Sequence, residues 1–400
     1  MKILERVKEN KFFFITFSML LLITFEYLGQ KEAIHYIDNY YFPLYAINYD
    51  CGYCSRLLIG AIFSLFFGDK PISTTVILNT LMATYLIICF LISLFLNNYL
   101  KKTKFEAIGV YALFIVIAPT MIGYLRFLGT LDLFWMPFVL GSLWLVNKKG
   151  WRWLVPVFCA ISLCIYELFV TTYLPVIAIA VFYQFVKKPD VSNFVYIAAC
   201  AVLVGAATIY FLVLGDSTMK MTSDRMVEFA RNRLDATGAS FDDGYLRSVF
   251  FWERPDTENY SGFVGYIQYN FDVFTKDDQS SLKTNIFFLT SNLISAVPFL
   301  WIIAKTFRKV KKPIEKFVFF CCFSMPVFMA INLLLSSDTE RFSMHFLLTL
   351  IFLLVFFVKE NDSAFSESYD DIMNKIGKNK AIFAIVGVCL ARVVLSGVRF

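Results

Sequence analysis

Ionisable side chains interrupt an otherwise apolar chain at four separated places, and a polar loop carries more. A charged group within a hydrophobic run is costly to bury in lipid, so each is a candidate for function. Carboxylates and imidazoles can transfer protons, and guanidiniums can bind phosphate through paired hydrogen bonds. The proton-transfer candidates are Asp50, Glu167, Asp338 and His345, and the substrate-binding candidates are Arg56, Arg126, Asp132, Arg341, Arg231 and Arg247.

The first place is the stretch NYDCGYCSRLLIG, where Asp50 precedes a short apolar segment and Arg56 stands at its start. The carboxylate could act as a general base or a metal ligand, and the arginine could hold a phosphate. The alternative is structural, with a helix cap and an arginine that reaches the membrane surface. Cys51 and Cys54 form a CxxC pair, but no βαβ context favours a redox role.

Two further places lie in the middle of the chain. Arg126 and Asp132 flank the short stretch RFLGTLD, where Asp132 could simply cap the next helix and Arg126 could face lipid headgroups. Glu167 interrupts the apolar block 153–186, so it either marks a turn at the membrane surface or is paired at depth.

The fourth place is the stretch SSDTERFSMH. Asp338, Arg341 and His345 are spaced i, i+3 and i+7, so on a helix they share one face and suit phosphate binding with proton transfer. The alternative is a local pair between the aspartate and the arginine. The chain has two histidines, too few to argue a metal site, so no metal is expected, although a divalent cation is compatible with the carboxylates.

A polar loop, 216–283, carries arginines that include Arg231 and Arg247 among aromatic residues such as Tyr245. Aromatic rings can stack on sugars, and arginines can hold phosphates or acidic sugars. An ordinary solvated cap domain has the same composition. Within this loop, residues 217–236 are predicted to form an amphipathic helix.

The elements that must position these residues are membrane helices. Of 400 residues, 58% are hydrophobic and 17% are charged. Apolar runs recur that are long enough to cross a hydrocarbon core of roughly 30 Å. Their lack of alternation excludes a barrel. The net charge of +6 lies mostly in short clusters between runs, where it orients the protein rather than binding nucleic acid. No Walker A or dinucleotide motif occurs.

The sequence therefore predicts an all-α polytopic protein with about eleven transmembrane helices. Lysine and arginine clusters place the N-terminus in the cytoplasm. Segment 56–67 is too short to cross and is interpreted as an interfacial helix. The predicted parts are an N-terminal bundle 1–215 with a first outer loop 29–73, a large outer loop 216–283 and a C-terminal bundle 284–400. In this map the unusual charges gather at the outer surface.

This pattern resembles bacterial GT-C-type membrane glycosyltransferases and O-antigen or capsule polymerases. The resemblance is architectural and rests on the number of spans, the first outer loop with its acid and interfacial helix, and the large later loop. It implies a catalytic aspartate in the first outer loop, for which Asp50 is the best match and Asp38 the second. It also implies substrate-binding arginines in the later loop.

The leading hypothesis is a glycosyltransferase or polymerase of the bacterial inner membrane that builds surface polysaccharide. Its partners would be membrane lipid, a polyprenyl-phosphate or polyprenyl-diphosphate sugar donor and a saccharide acceptor, with inverting transfer at the outer face. A transporter or flippase for a lipid-linked or acidic solute is the alternative, and it predicts charges that line a path at mid-membrane. A non-catalytic scaffold would leave the gathered charges unexplained. The oligomeric state is open.

Overall fold

The computed structural model describes residues 9–30, 40–100, 104–235, 241–251, 268, 279–335 and 339–395. Across these residues the chain is helical nearly throughout, and two short strands form one parallel pair. The all-α class is confirmed.

The helices begin and end close to the predicted apolar runs. In chain order they are α1 Lys11–Gln30, α2 Leu58–Phe67, α3 Thr74–Leu100, α4 Glu106–Ile115, α5 Ile122–Arg126, α6 Met136–Leu145, α7 Leu154–Ile165, α8 Phe169–Thr172, α9 Leu174–Lys187, α10 Val191–Ile209, α11 Ser223–Arg233, α12 Gly244–Phe250, α13 Gln279–Lys309, α14 Pro313–Cys322, α15 Met325–Leu335, α16 Thr339–Lys359, α17 Ser363–Ile376 and α18 Lys378–Leu395. The strands are β1 Ile72–Ser73 and β2 Leu234–Asp235, tight 3-10 turns cover Phe42–Tyr45, Leu131–Trp135 and Gly215–Thr218, and π-helical turns cover Val116–Met121 and Tyr210–Leu214.

Six of the described helical segments are long and apolar enough to cross a membrane. They are Lys11–Gly29, Thr74–Leu100, Val191–Leu212, Leu289–Lys309, Pro313–Asn332 and Arg341–Lys359. The last of these is 94% buried, so it is the centre of the bundle, surrounded by the other helices rather than by lipid. Shorter apolar helices, among them α6, α7 and α9, pack between the long ones.

Polar side chains fix where several helices start and stop. The Asp190 carboxylate accepts the backbone N–H of Asn193 at 2.7 Å and so caps α10. Asp362 caps α17 in the same way, accepting from Phe365 at 2.9 Å. Gly377, with φ of +87°, ends α17 in a conformation that a side chain would disfavour.

One end of the bundle is rich in lysine, and we call it the lysine-rich end. The amphipathic helix α17 lies there, and Asp371 on it pairs with Lys309 of α13 at 2.8 Å. Lys187, the last residue of α9, pairs with Asp362 at 2.9 Å.

The opposite end, which we call the site end, holds most of the predicted functional residues. Helix α2 lies at this end, where two hydrogen bonds attach it to its neighbours. Asn48 of the first loop donates to Ser64 at 3.1 Å, and Arg233 of α11 donates to the Gly68 carbonyl at 2.7 Å. Residue 72 of β1 also pairs with residue 234 of β2 at this end. Segment 56–67 therefore contacts the first loop and α11.

The described part of loop 216–283 forms a small cap on the site end. Helix α11 covers the central part of the predicted amphipathic helix 217–236, and Met226 on it is fully buried. The Arg247 guanidinium joins the two cap helices, since it donates to Asp224 at 2.8 Å and to Asp243 at 2.9 Å.

Candidate functional site

The centre of the site is a buried aspartate with two cationic or polar partners. Asp132 lies in the turn Leu131–Trp135, and Arg341 and His345 lie one helical turn apart on α16. The Oδ2 atom of Asp132 is 3.0 Å from Arg341 Nε and 3.0 Å from His345 Nε2. The aspartate therefore binds α16 instead of capping its own helix, so the capping interpretation is wrong.

The imidazole of His345 is held on both sides. Its Nδ1 atom is 2.8 Å from the Tyr173 hydroxyl and 3.2 Å from the Tyr124 hydroxyl. A carboxylate only accepts, so Nε2 donates to Asp132 and Nδ1 accepts a tyrosine proton in the tautomer that satisfies both contacts. The side chain is completely buried.

A second ion pair lies beside the first. The Arg56 guanidinium makes two hydrogen bonds to the Glu167 carboxylate, and Ser55 donates to the same carboxylate. Glu167 lies in the break between α7 and α8, at the helix ends, where the turn interpretation put it. It is paired there as well, which the sequence left as an alternative.

Tyr166 lies between the two arginines. Its ring is 4.4 Å from the Arg56 guanidinium carbon and 5.7 Å from that of Arg341, and its hydroxyl accepts from Arg341 at 3.1 Å. The ring also stacks on Trp135, with ring centroids 5.4 Å apart. The aromatic ring faces two cations, an arrangement that its negative face stabilises.

The backbone of Arg56 has an uncommon conformation. Its φ is +72°, in the left-handed region that residues with a Cβ avoid at a cost of about 1–2 kcal/mol. Its N–H donates to the Cys164 carbonyl at 2.9 Å in the last turn of α7. Strain of this kind persists only where the surroundings impose it, and it concentrates at functional sites.

The formal charges of the cluster balance, with two arginines against Asp132 and Glu167. Burial of either carboxylate alone would be expensive, and mutual pairing removes most of that cost. Within the cluster, Arg56 Nη1 and Asp132 Oδ1 are nevertheless buried without a hydrogen-bond partner among the described residues. The cluster thus retains one donor and one acceptor for a bound group.

Helix α12 covers the arginines from the cap side. Tyr245 is buried and lies close enough to Arg56 and Arg341 for their charges to act on it. Burial raises the pKa of Tyr245 to about 12, and the two cations only partly oppose this. The phenol therefore stays neutral and can donate. Its ring packs edge-on against Tyr40 at 4.8 Å, which holds α12 against the first loop.

The structure brings five of the predicted residues together: Arg56, Asp132, Glu167, Arg341 and His345. Other predicted members are placed elsewhere or fall outside the described residues.

Asp50 is exposed and lines a groove against α11, and Arg126 is half-buried at the end of α5. Arg231 lies over the Phe241 ring at 5.1 Å. Arg231 and Arg247 lie on the two cap helices, within the polar loop in which the sequence analysis placed them. Asp38 and Asp338 lie outside the described residues.

The CxxC cysteines are free thiols in buried positions. Burial is the main cause that raises the pKa of Cys51 to about 11, with the Asp50 carboxylate acting in the same direction. A reactive cysteine has a lowered pKa and an electropositive surrounding. The geometry of Cys51 is that of a small packed residue.

Three tyrosines of the site were missed by sequence reasoning: Tyr124, Tyr166 and Tyr173. Tyr166 precedes Glu167 in the sequence, and this adjacency to a candidate residue is the only sequence signal for it. The other two look like ordinary residues of apolar helices. Their role depends on contact with α16, more than 170 positions away, which no local pattern contains.

Within the described ranges, no three His, Cys, Asp or Glu side chains gather as a possible metal site. Comparison with known proteins gives no match to a family model, to a curated protein or to a solved structure.

Proposed function

We propose that this protein is a membrane glycosyltransferase or polymerase that uses polyprenyl-phosphate-linked or polyprenyl-diphosphate-linked sugars to build bacterial surface polysaccharide, such as O-antigen or capsule. The observation that supports it most is the convergence of two buried guanidiniums and an Asp–His pair at one end of the helix bundle. Such a cluster suits a ligand with an anionic head and an apolar tail, which a lipid-linked sugar has.

The arginines are the proposed phosphate site. A guanidinium presents paired donors that match phosphate oxygens, and Arg56 Nη1 is buried without a partner among the described residues. Asp132, which is itself held by His345, pairs with Arg341, so the guanidinium is oriented before the donor binds. The donor reaches this site laterally between helices while its tail stays in lipid.

Asp50 is the proposed general base. It is exposed, six positions before Arg56, so one short segment carries both groups. In the proposed step Asp50 takes the proton of an acceptor hydroxyl, the hydroxyl oxygen attacks the anomeric carbon, and the bond from that carbon to the phosphate oxygen breaks. The electron pair leaves with the phosphate, which Arg56 and Arg341 stabilise, and the configuration inverts.

The proposed topology has about eleven crossings, a cytoplasmic N-terminus and the site end outside, in the bacterial inner membrane. Contacts between helix ends support this assignment of the two ends of the bundle. Asn97, near the lysine-rich end of α3, donates to Asn10 just before α1 at 2.9 Å, and Asn332 of α15 donates to the Thr171 carbonyl at the site end at 3.1 Å. Positively charged loops favour the cytoplasm, which assigns the lysine-rich end to it.

The test is transfer by the purified full-length protein in nanodiscs. Radiolabelled polyprenyl-diphosphate sugars and lipid-free acceptor glycans are supplied, and chain growth is measured on gels. We expect Arg341→Ala, Arg56→Ala and Asp50→Asn each to lower the rate by at least about 100-fold, the scale of a lost transition-state contact. Arg231→Ala is the matched control, since it removes a cap arginine outside the cluster. Full activity of all three folded site variants would overturn the proposal.

The second proposal is a transporter or flippase for a lipid-linked or acidic solute, favoured by the electrical balance of the buried cluster. Against it, the cluster lies at helix ends. His345 is six residues from the start of α16, or about 9 Å along a helix that rises 1.5 Å per residue. Uptake or flipping of a fluorescent lipid-linked sugar by proteoliposomes without glycan product would support this second proposal.

A further inference from the structure

A second recognition surface lies on the cap, outside the arginine cluster. It is an open groove of about 420 Å³ between the first loop and helix α11. That volume is within the range of small-ligand sites. The groove is lined by Asp50, Lys220, Met221, Arg225, Glu228, Phe229 and Asn232.

Most polar groups of the groove are available to a ligand; the exception is Lys220, whose Nζ donates to the Tyr49 carbonyl at 3.4 Å and lies 4.0 Å from the centre of the Tyr53 ring. The side chains of Arg225, Glu228 and Asn232 make no hydrogen bond or ion pair with the described residues, and neither does the Asp50 carboxylate. Elsewhere on the cap the arginines are engaged, as Arg247 is with two aspartates. Unpaired donors and acceptors thus converge on one concave surface instead of being spread over the cap.

The chemistry of the groove selects the class of ligand. Two carboxylates and two cations balance, so the groove has no net attraction for a strongly charged group. Carboxylate, amide and guanidinium groups can each pair with a hydroxyl, and the half-buried Phe229 ring offers an apolar face. The matching ligand carries hydroxyl groups around an apolar ring face, which is the structure of an uncharged sugar.

The groove is joined to the arginine cluster by the segment 50–56. The backbone N–H of Lys220 donates to the Cys51 carbonyl at 2.9 Å, and that of Tyr53 donates to Thr218 Oγ1 at 3.0 Å. Gly52 packs so closely on Met219 that an added Cβ would be 3.0 Å from its Cα. The position of the groove relative to Arg56 is therefore fixed.

We infer that this groove binds the acceptor saccharide, and that the acceptor is a neutral glycan rather than one built of uronic or sialic acids. This inference rests on the proposed transferase function and names the acceptor class and its binding site. It places the acceptor hydroxyl beside Asp50 and the donor phosphate at Arg56, on the two ends of one seven-residue segment.

The test is direct binding, measured without donor. The full chain in nanodiscs is titrated with neutral tetrasaccharides of glucose, galactose, mannose and N-acetylglucosamine, and with tetragalacturonate, by saturation-transfer NMR. We expect at least one neutral glycan to bind and tetragalacturonate to bind more weakly. Phe229→Ala and Glu228→Gln should each weaken binding about tenfold, equivalent to ~1.4 kcal/mol, whereas Arg231→Ala on the same helix should not.

Two results would overturn this inference: no binding of any neutral glycan, or equal binding by the groove variants and the control. Arg341→Ala separates it from the proposed function, because that variant should keep glycan binding while losing transfer. Glycan binding without transfer by the wild type would refute the transferase and leave the groove intact. Transfer that the groove variants do not affect would refute the groove alone.

Discussion

The Asp132 carboxylate is the most constrained group of the site, because two partners on α16 share one of its oxygens. Removal of its charge leaves the Arg341 guanidinium buried without that counter-ion. An uncompensated buried charge is much more harmful than the absence of both partners. If the residues are paired, removal of one partner therefore destabilises the protein more than removal of both, whereas two independent polar residues would have additive effects.

We therefore expect Asp132→Asn to lower the free energy of unfolding by about 3–5 kcal/mol, seen as a large fall in thermal midpoint of the detergent-solubilised protein. The double variant Asp132→Asn with Arg341→Gln should be more stable than Asp132→Asn alone. Asp69→Asn, at an exposed position, is the control and should leave the midpoint unchanged. A double variant less stable than both singles would contradict the pairing.

The Cys51 thiol gives a prediction about pH. Since its pKa is raised to about 11, the thiol is protonated at neutral pH and forms the reactive thiolate only as the pH approaches that value. We expect iodoacetamide to modify Cys51 negligibly in the folded protein at pH 8 and increasingly toward pH 10–11, as measured by mass spectrometry. Modification at pH 8 as fast as in the denatured chain would show this to be wrong.

Among the elements, α2 positions the site by packing on the first loop. The two surfaces approach so closely that a Cβ on Gly60 would be 1.7 Å from the Ile47 carbonyl oxygen. A backbone atom cannot move aside as a flexible side chain can. Because Arg56 immediately precedes this helix, displacement of α2 would also disturb the pair with Glu167.

Gly60→Ala should therefore destabilise the protein by about 1–3 kcal/mol, as overpacking does, and should reduce transfer as well. The matched control is Gly205→Ala in α10, where an added Cβ meets nothing within 4 Å. There we expect no loss, because alanine favours a helix more than glycine does. Thermal midpoints of the two variants in one detergent decide the comparison. Equal midpoints would mean that α2 and the loop are not packed as described.

At the scale of the whole molecule, the two polar ends predict opposite sides of the membrane. Alkaline phosphatase fused after residue 235, in the cap, should be active because that enzyme folds only outside the cytoplasm. The same fusion after residue 312, at the lysine-rich end, should be inactive, and a green fluorescent protein there should fluoresce. The reverse pattern would invert the proposed orientation while leaving the fold intact.

Hydropathy alone determined the all-α class of this protein and the positions of its long apolar helices. Apolar runs that start and stop within a few residues of α3, α10 and α16 are local properties, since backbone polar groups in lipid must be paired within a helix. The unusual charges at 56, 132, 167, 341 and 345 were readable as candidates for the same reason, together with those at 50, 126 and 338, because a charge in an apolar run is costly wherever it lies.

Only the tertiary structure decided how these residues are used. It paired Asp132 with α16 and Arg56 with Glu167, added tyrosines that resemble core residues, and separated Asp50 and the cap arginines from the cluster. Pairing depends on which helix ends meet, and the sequence gives each helix a length and a polarity but not its neighbours. The gathering of charge at one end was therefore predictable, whereas its division into a buried ion-paired cluster and a separate groove required the fold.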